Sequence, residues 1–168
     1  GIELQGQPMD RAAPKDFSDA HVAHIPQDRR RMGLVQSFPL WRNAVLKNFD
    51  RPPISRKGLL RFSAIWPFLE RIIDEFRIRA SSPRKLLARQ LSGGNQQRLV
   101  LGREFSLDPV FLVANQPTQG LDVGATEYVR EKLLERRNEG MAILLISTDL
   151  DEILQLSDRI AVLYEGRI

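Results

Sequence analysis

The sequence contains no cysteine, and this absence excludes disulfide bonds and metal sites built on thiolates. It also fits a reducing compartment. No apolar run approaches the roughly 20 residues that a membrane-spanning helix needs. The longest apolar run, around residues 141–146, has the length of a strand. The first residues lack the basic and then apolar pattern of a secretion signal, so any membrane association is expected to come through a partner.

Histidine and aromatic residues are also few. His21 and His24 are the only two histidines, and on an extended segment their side chains point to opposite faces, so they do not share a metal. The net charge of +4 raises the question of nucleic-acid binding, and the densest basic run is residues 29–31. Aromatic residues do not interleave with that run, which favours an exposed, solvated loop and predicts no nucleic-acid partner.

The amino-acid composition changes along the first half of the chain. Residues 1–8 predict a short strand and a loop, and residues 22–26 predict a second short strand. Residues 34–90 are basic, contain prolines and both tryptophans, and predict a helical subdomain inserted into a sheet-containing core. Its clearest helix covers residues 63–76, with Ser63 as the expected cap and Pro67 in or near the first turn. Helical spacing predicts one apolar face on it, formed by Ile65, Leu69, Ile72, Ile73 and Phe76.

From residue 91 onward, strands and helices alternate regularly. The pattern predicts first a helix over 94–107, a strand over 110–114 and a polar loop over 115–124. A helix over 125–138, stopped by Gly140, and a strand over 142–147 follow. A short helix capped by Ser147 or Thr148, which bears Leu150, Ile153 and Leu154, and a strand over 160–164 are predicted last. The strands at 110–114 and 142–147 are continuously apolar, as expected when both faces are buried. This alternation predicts an α/β fold with a parallel, helix-covered sheet.

Residues 91–97, LSGGNQQ, lead into the first of these helices. A Ser-Gly-Gly turn before a helix can hold an anion, because glycines allow close approach and the first helical N–H groups are unpaired. Taken alone, such a turn is more often a flexible loop in which Ser92 caps the helix.

In its full context, LSGGNQQ resembles the signature motif of ATP-binding cassette (ABC) ATPases. HIPQDR is similar to their Q-loop, with Gln27 at the glutamine position, and residues 110–118 occupy the place of Walker B. ISTD, residues 146–149, matches the switch region, and the D-loop corresponds to Gly120, Leu121 and Asp122. The whole combination is similar to the C-terminal cassette of tandem ATPases that drive simple-sugar and nucleoside importers.

The resemblance implies a P-loop NTPase core formed by residues 1–33 and 96–168, with a helical subdomain over 34–95 that ends in the signature motif. It also implies ATP contacts for Gln27 and for four signature residues, Ser92, Gly93, Gly94 and Gln97. In ABC dimers the signature loop completes the ATP site of the opposite cassette, so a second cassette is the first expected partner. Membrane permease subunits, reached through the Gln27 loop and the helical subdomain, are the second. The implied location is the cytoplasmic face of the cell membrane.

The chain departs from the family where the phosphates are held. The P-loop pattern GxxxxGK[ST] occurs nowhere, so the chain resembles a cassette cut just after its P-loop helix. ATP and Mg²⁺ are therefore expected in the full-length assembly and not bound tightly by this chain. Apolar sheet edges left without the P-loop strand predict a repacked sheet or pairing between chains.

A second departure removes the chemistry of hydrolysis. Asn115 and Gln116 stand where Walker B supplies a Mg²⁺-binding Asp and a Glu that activates water, and Thr148 replaces the histidine that senses the γ-phosphate. An amide binds Mg²⁺ more weakly than a carboxylate and cannot act as a general base near neutral pH. This cassette is expected to be hydrolytically degenerate, with no intact catalytic residue and no metal site of its own.

Two functions therefore remain open. The first is the nucleotide-binding half of an importer in which this cassette caps its partner's ATP with LSGG. The second is a non-catalytic interaction or regulatory module derived from an ABC ATPase, and a substitution at Ser92 discriminates between them. A role in DNA repair or translation would call for long coiled-coil heptads or an aromatic-basic surface, and neither is present.

Overall fold

A computed structural model describes all 168 residues of the chain. Its strands are β1 (Glu3–Leu4), β2 (Gln7–Pro8), β3 (Val22–Ile25), β4 (Ser55–Arg56), β5 (Leu59–Leu60), β6 (Phe111–Asn115) and β7 (Ala142–Ile146). Its α-helices are α1 (Pro14–Asp19), α2 (Leu40–Ala44), α3 (Phe62–Glu75), α4 (Gly93–Phe105), α5 (Val123–Asn138) and α6 (Leu150–Leu156). Two short turns, a π-helical one at Arg29–Gly33 and a 3₁₀ one at Ala88–Gln90, complete the set. None of the helices has the length and apolarity that a bilayer crossing requires.

The central sheet has three parallel strands in the order β3–β6–β7. Ala114 of β6 pairs with Ile25 of β3 on one side and with Leu145 of β7 on the other. Because the strands are parallel, their carboxyl ends meet at one edge of the sheet. The predicted α/β fold with a parallel sheet is confirmed, and that edge is where the segments carrying Gln27, Gln116 and Thr148 begin.

Two hairpins lie outside this sheet. Residues 1–8, predicted as one strand and a loop, form the antiparallel pair β1–β2, and β4 pairs with β5 in the same way. In the first hairpin, Gln5 and Gly6 have φ angles of 51° and 78°, the left-handed conformation that tight two-residue hairpin turns require. The first eight residues therefore pair with each other and add no strand to the parallel sheet.

Helix α3 carries the predicted apolar face but begins earlier than predicted. Ile65, Leu69 and Ile72 are fully buried, which confirms the face. The prediction that Ser63 caps the helix is wrong, because α3 begins at Phe62 and Ser63 lies inside its first turn. The physical cause is the β4–β5 hairpin, which holds the N–H of Arg61 on Ile54 O at 2.9 Å and starts the helix directly after it.

Helix α4 lies at the centre of the molecule and packs against β3, α2 and α3. Gly102 marks its crossing with α3, since a Cβ atom there would lie 2.6 Å from Ile72 Cγ2. One buried cluster joins the sheet to the helical segment: Ala23, Ile25, Leu112 and Ala114 belong to the sheet, and Leu69, Ile72 and Phe76 belong to α3 and its end. The division into 1–33 with 96–168 and 34–95 therefore stays a prediction, because α4 serves both parts.

The sheet ends at β7, and this changes the burial of the strand. Leu144 and Ile146 are 49% and 46% exposed, while Ile143 and Leu145 pack against the core. The prediction that residues 142–147 are buried on both faces is therefore wrong. No strand pairs with the outer edge of β7, and one face of the strand remains open.

The segment after β7 also differs from the prediction. Neither Ser147 nor Thr148 caps α6; Asp149 does, with its carboxylate accepting from Glu152 N–H at 3.1 Å. Leu150 and Leu154, two of the apolar residues that this helix bears, are 65% and 60% exposed. Residues 160–164 form no strand, because an extended segment becomes a strand only when a neighbour takes its N–H and C=O groups.

Candidate functional site

The carboxyl ends of β6 and β7 bring two of the predicted residues together. Asn115 is the last residue of β6 and pairs with Ile146. The next residue, Gln116, has a φ of 49°, and its N–H donates to Ile146 O at 2.8 Å. Its side-chain Nε2 donates to Thr148 Oγ1 at 3.2 Å. Two neutral side chains thus contact each other at the sheet edge.

This group of residues does not fit a magnesium ion. Asn115, Gln116 and Thr148 offer amide and hydroxyl oxygens without a carboxylate, and Mg²⁺ binds most strongly through carboxylates or phosphates. No cluster of three or more histidine, aspartate or glutamate residues in the structure could hold a metal ion. The strand ends can orient a polar group by hydrogen bonds, but they can neither anchor Mg²⁺ tightly nor take a proton from water.

The loop that follows, residues 116–122, is held by side chains from three other segments. Gln97 Nε2 of α4 donates to Pro117 O at 2.7 Å, and Thr118 Oγ1 donates to Glu152 Oε1 of α6 at 2.8 Å. Arg29 donates to the last two carbonyls, from Nη1 to Gln119 O at 2.8 Å and from Nη2 to Gly120 O at 3.2 Å. These four side-chain hydrogen bonds tie the loop to α4, to α6 and to the turn Arg29–Gly33.

Gln97 is placed differently from the expectation for an ATP-contacting residue. It is only 2% exposed, and its amide nitrogen is used by Pro117 O. The side chain is buried because successive residues on a helix face different directions, and Gln97 faces the loop at Pro117 rather than the surface. Gln97 therefore supports the loop from within the chain.

Ser92 does cap α4, as its position predicts. Its Oγ accepts from Asn95 N–H at 3.3 Å and from Asn95 Nδ2 at 3.0 Å. The first backbone bond of the helix is donated by Gln96 N–H to Ser92 O at 2.8 Å, so the N–H groups of Gly93 and Gly94 precede the helical pattern. These two N–H groups lie at the positive end of a 13-residue helix.

The two signature glycines also make room for side chains of this chain. A Cβ atom on Gly93 would lie 3.0 Å from Arg29 Nη2, and one on Gly94 would lie 3.0 Å from the Cβ of Ala125. Sequence reasoning assigned the glycines to the close approach of an anion. The structure adds a packing reason, because the start of α4 lies directly against Arg29 and the start of α5.

Arg29 was missed as a functional candidate: Arg30 and Arg31 are exposed, as predicted for this run, but Arg29 is partly buried within a π-helical turn. Asp28 accepts from the N–H groups of Arg30 and Arg31, each at 3.0 Å, and this starts the π-helical turn Arg29–Gly33. The turn directs Arg29 inward, and burial lowers the pKa of its guanidinium. The one sequence signal was Asp28, whose side chain favours such a cap but does not show where Arg29 points.

The predicted residues thus form two groups. The first, called here the signature surface, consists of Ser92, Gly93, Gly94, Arg29 and residues 119–122. Asp122 belongs to it because its carboxylate caps α5 through Ala125 N–H at 2.9 Å and lies beside Gly94. Gly120 has a φ of 65°, and Leu121 packs on the core. The second group is the strand ends, which the Gln97–Pro117 hydrogen bond connects to α4, and Gln27 lies exposed just beyond β3.

Comparison with solved structures decides the fold. A nucleotide-free ATP-binding cassette from an ABC transporter matches 96% of this chain and 64% of its own, with a TM-score of 0.73 at 18% identity. A dimeric ATP-binding cassette in a post-hydrolysis state, bound to ADP and Pi, matches 89% of this chain and 62% of its own, with a TM-score of 0.66 at 15% identity. This chain has the ATP-binding cassette fold.

Sequence relatives of the cassette are import ATP-binding proteins. It is 44% identical over 167 residues to the guanosine import ATP-binding protein NupO of Bacillus subtilis, and the alignment covers 99% of this chain and 32% of NupO. It is 40% identical to the nucleoside import ATP-binding protein NupA of Lactococcus lactis, and the alignment covers 99% of this chain and 33% of NupA. It is also 40% identical to the glucose import ATP-binding protein TsgD13 of Haloferax volcanii, and that alignment covers 99% of this chain and 30% of TsgD13. The chain spans about a third of the length of the curated relatives it matches. No protein-family model matches it.

Proposed function

We propose that this cassette is part of the nucleotide-binding subunit of an ABC importer that couples ATP binding and hydrolysis to uptake of simple sugars or nucleosides. The names of its relatives, which import guanosine, nucleosides and glucose, support the substrate class. The observation that carries the role of the cassette is its signature surface, where the N–H groups of Gly93 and Gly94 are free to donate hydrogen bonds to an anion.

The cassette supplies this surface to ATP held by a second cassette. Ser92 and the N–H groups of Gly93 and Gly94 bind the γ-phosphate, and the dipole of α4 favours the negative charge. When bound there, ATP supplies the phosphoanhydride bond whose hydrolysis drives transport. The chain's own residues bind and orient the terminal phosphate.

The cassette's own strand ends do not hydrolyse ATP in this proposal. Gln116 cannot remove a proton from water, and its amide is already engaged with Thr148. Asn115 lacks the charge that holds Mg²⁺. Losing base and phosphate sensor together corresponds to several kcal/mol of transition-state stabilisation, or several orders of magnitude in rate.

The permease is the proposed membrane partner, reached through the Gln27 segment and the helical subdomain over 34–95. Exposed apolar side chains in that subdomain support a protein contact: Phe49 is 55% exposed, Leu59 74% and Phe62 46%. Binding there would hold the cassette at the cytoplasmic face of the membrane as a peripheral subunit.

Ser92→Asp in the full gene product tests the capping role. Aspartate is also a good helix cap, so α4 is preserved while a negative charge replaces the hydroxyl that faces the phosphate. We expect ATPase activity and transport to fall by at least about tenfold. Asn138→Asp, which adds a negative charge at the exposed end of α5, away from the signature surface and from the proposed permease contact, is the control and leaves both unchanged. Undiminished activity in Ser92→Asp would favour the non-catalytic interaction module instead.

A further inference from the structure

Arg29 connects three segments that the fold brings to one place. It belongs to the turn after the Gln27 segment, it donates to the carbonyls of Gln119 and Gly120, and its Nη2 fills the space beside Gly93. We propose that Arg29 is a positioning residue that holds the D-loop and the start of α4 as one surface. The inference rests on the proposed function, because that surface is the one offered to the partner's ATP.

The neighbouring arginines show that this arrangement is specific to Arg29. Arg30 and Arg31 are exposed, and only their backbone groups take part in hydrogen bonds. Arg29 instead uses both terminal nitrogens on two successive carbonyl oxygens. The planar guanidinium reaches two acceptors at once, whereas the single ammonium of a lysine is a flexible point charge.

The charge of Arg29 is not neutralised by a salt bridge. Its two hydrogen-bond acceptors are neutral carbonyls, and its Nε is buried without a partner. A partly buried charge without a carboxylate is costly to the fold. The positive charge therefore adds to the field at the N-terminus of α4, where a phosphate would lie.

Gly93 supplies an independent reason for the same relationship. A methyl group there would lie 3.0 Å from Arg29 Nη2, tighter than nine in ten real Cβ contacts, so Gly93→Ala is expected to shift the guanidinium by a few tenths of an ångström. Arg29 is also only two residues from Gln27. A displacement of the Gln27 segment would consequently move the guanidinium and the two D-loop carbonyls bound to it.

The first measurement is hydrogen–deuterium exchange of the peptide covering residues 116–122 in the full gene product. Arg29→Met is expected to raise the exchange rate of this peptide about tenfold. Arg29→Lys keeps the charge but lacks the second terminal nitrogen, so it is expected to give an intermediate rate. Arg31→Met is the matched control, since it removes an arginine from the same turn without touching the loop. Exchange in Arg29→Met equal to that of the control would overturn the inference.

The second measurement separates positioning from folding. ATPase kcat in Arg29→Met is expected to fall about tenfold, while KM for ATP changes less than roughly twofold and the thermal midpoint stays close to that of the control. Partial recovery of kcat in Arg29→Lys supports the contribution of the charge. Faster exchange with unchanged kcat would overturn the positioning role. If Ser92→Asp stays fully active while Arg29→Met still loosens the loop, the proposed function fails and the structural role of Arg29 stands.

Discussion

Gln116 and Thr148 hydrogen-bond each other at the carboxyl edge of the sheet, Nε2 to Oγ1 at 3.2 Å. In this position the chain has two neutral side chains that satisfy one another. Neither side chain can take a proton from water near neutral pH, because an amide and a hydroxyl are far too weakly basic.

The first prediction follows from this pair. The 168-residue chain is incubated alone with ATP and Mg²⁺. Phosphate is expected to be released no faster than from ATP in buffer without protein, because the strand ends offer neither a general base nor a carboxylate for the metal. A phosphate-release assay with and without EDTA measures this. Turnover that depends on Mg²⁺ and co-purifies with the chain would contradict the assignment of degenerate strand ends.

The second prediction concerns Gln97, which is buried and donates to Pro117 O. Gln97→Leu keeps the size of the side chain but leaves this buried carbonyl without its donor, so the free energy of unfolding falls by about 1–3 kcal/mol. Urea denaturation measures the change. Gln7→Leu, at an exposed position of β2, is the control and changes stability by less than about 0.5 kcal/mol. Equal midpoints for the two variants would show that the bond contributes nothing.

The third prediction tests the crossing of α3 and α4. Gly102→Ala places a methyl group 2.6 Å from Ile72 Cγ2, and the required shift lowers the free energy of unfolding by about 1–3 kcal/mol. Gly124→Ala, on the exposed first turn of α5, is the matched control, because its Cβ meets only Asp122 Oδ1 at 3.7 Å. There the better helix propensity of alanine raises stability by about 0.5–1 kcal/mol. A loss of stability in Gly102→Ala no larger than that in Gly124→Ala would contradict the packing explanation for Gly102.

The fourth prediction concerns the open side of β7. Its outer edge lacks a paired strand, and Leu144 and Ile146 are half exposed on one face, so the isolated chain is expected to self-associate at high concentration. Leu144→Lys places a charge on that face and shifts sedimentation towards the monomer. Leu59→Lys, at a 74% exposed position in the β4–β5 hairpin, is the control and leaves association unchanged. A wild-type chain that stays monomeric over the whole concentration range would refute this use of the edge.

Local signals in the sequence were sufficient for most elements. The helix predicted over 94–107 forms at Gly93–Phe105 with Ser92 as its cap, and the strand predicted over 110–114 forms at Phe111–Asn115. Gly140, with a φ of 99°, follows the end of α5 as predicted. Caps, helical periodicity and short apolar runs depend on neighbours within a few residues, so they can be read along the chain.

Elements that depend on a distant neighbour could not be predicted in this way. Residues 160–164 have the apolar composition of a strand, yet they form none because no strand lies beside them. The open face of β7 has the same cause. A pattern shows what a segment could pair with or bury, but the presence of the partner is a property of the assembled fold.

The sequence by itself determined the alternation of strands and helices over residues 91–156, the cap at Ser92 and the absence of a carboxylate at positions 115 and 116, because residue identity and local spacing fix these. Only the tertiary structure decided that Gln97 faces inward and that Arg29, alone among three consecutive arginines, binds the carbonyls of Gln119 and Gly120. The direction of a long side chain is set by which backbone groups the fold places within its reach. Those groups are 20 and about 90 positions away along the chain.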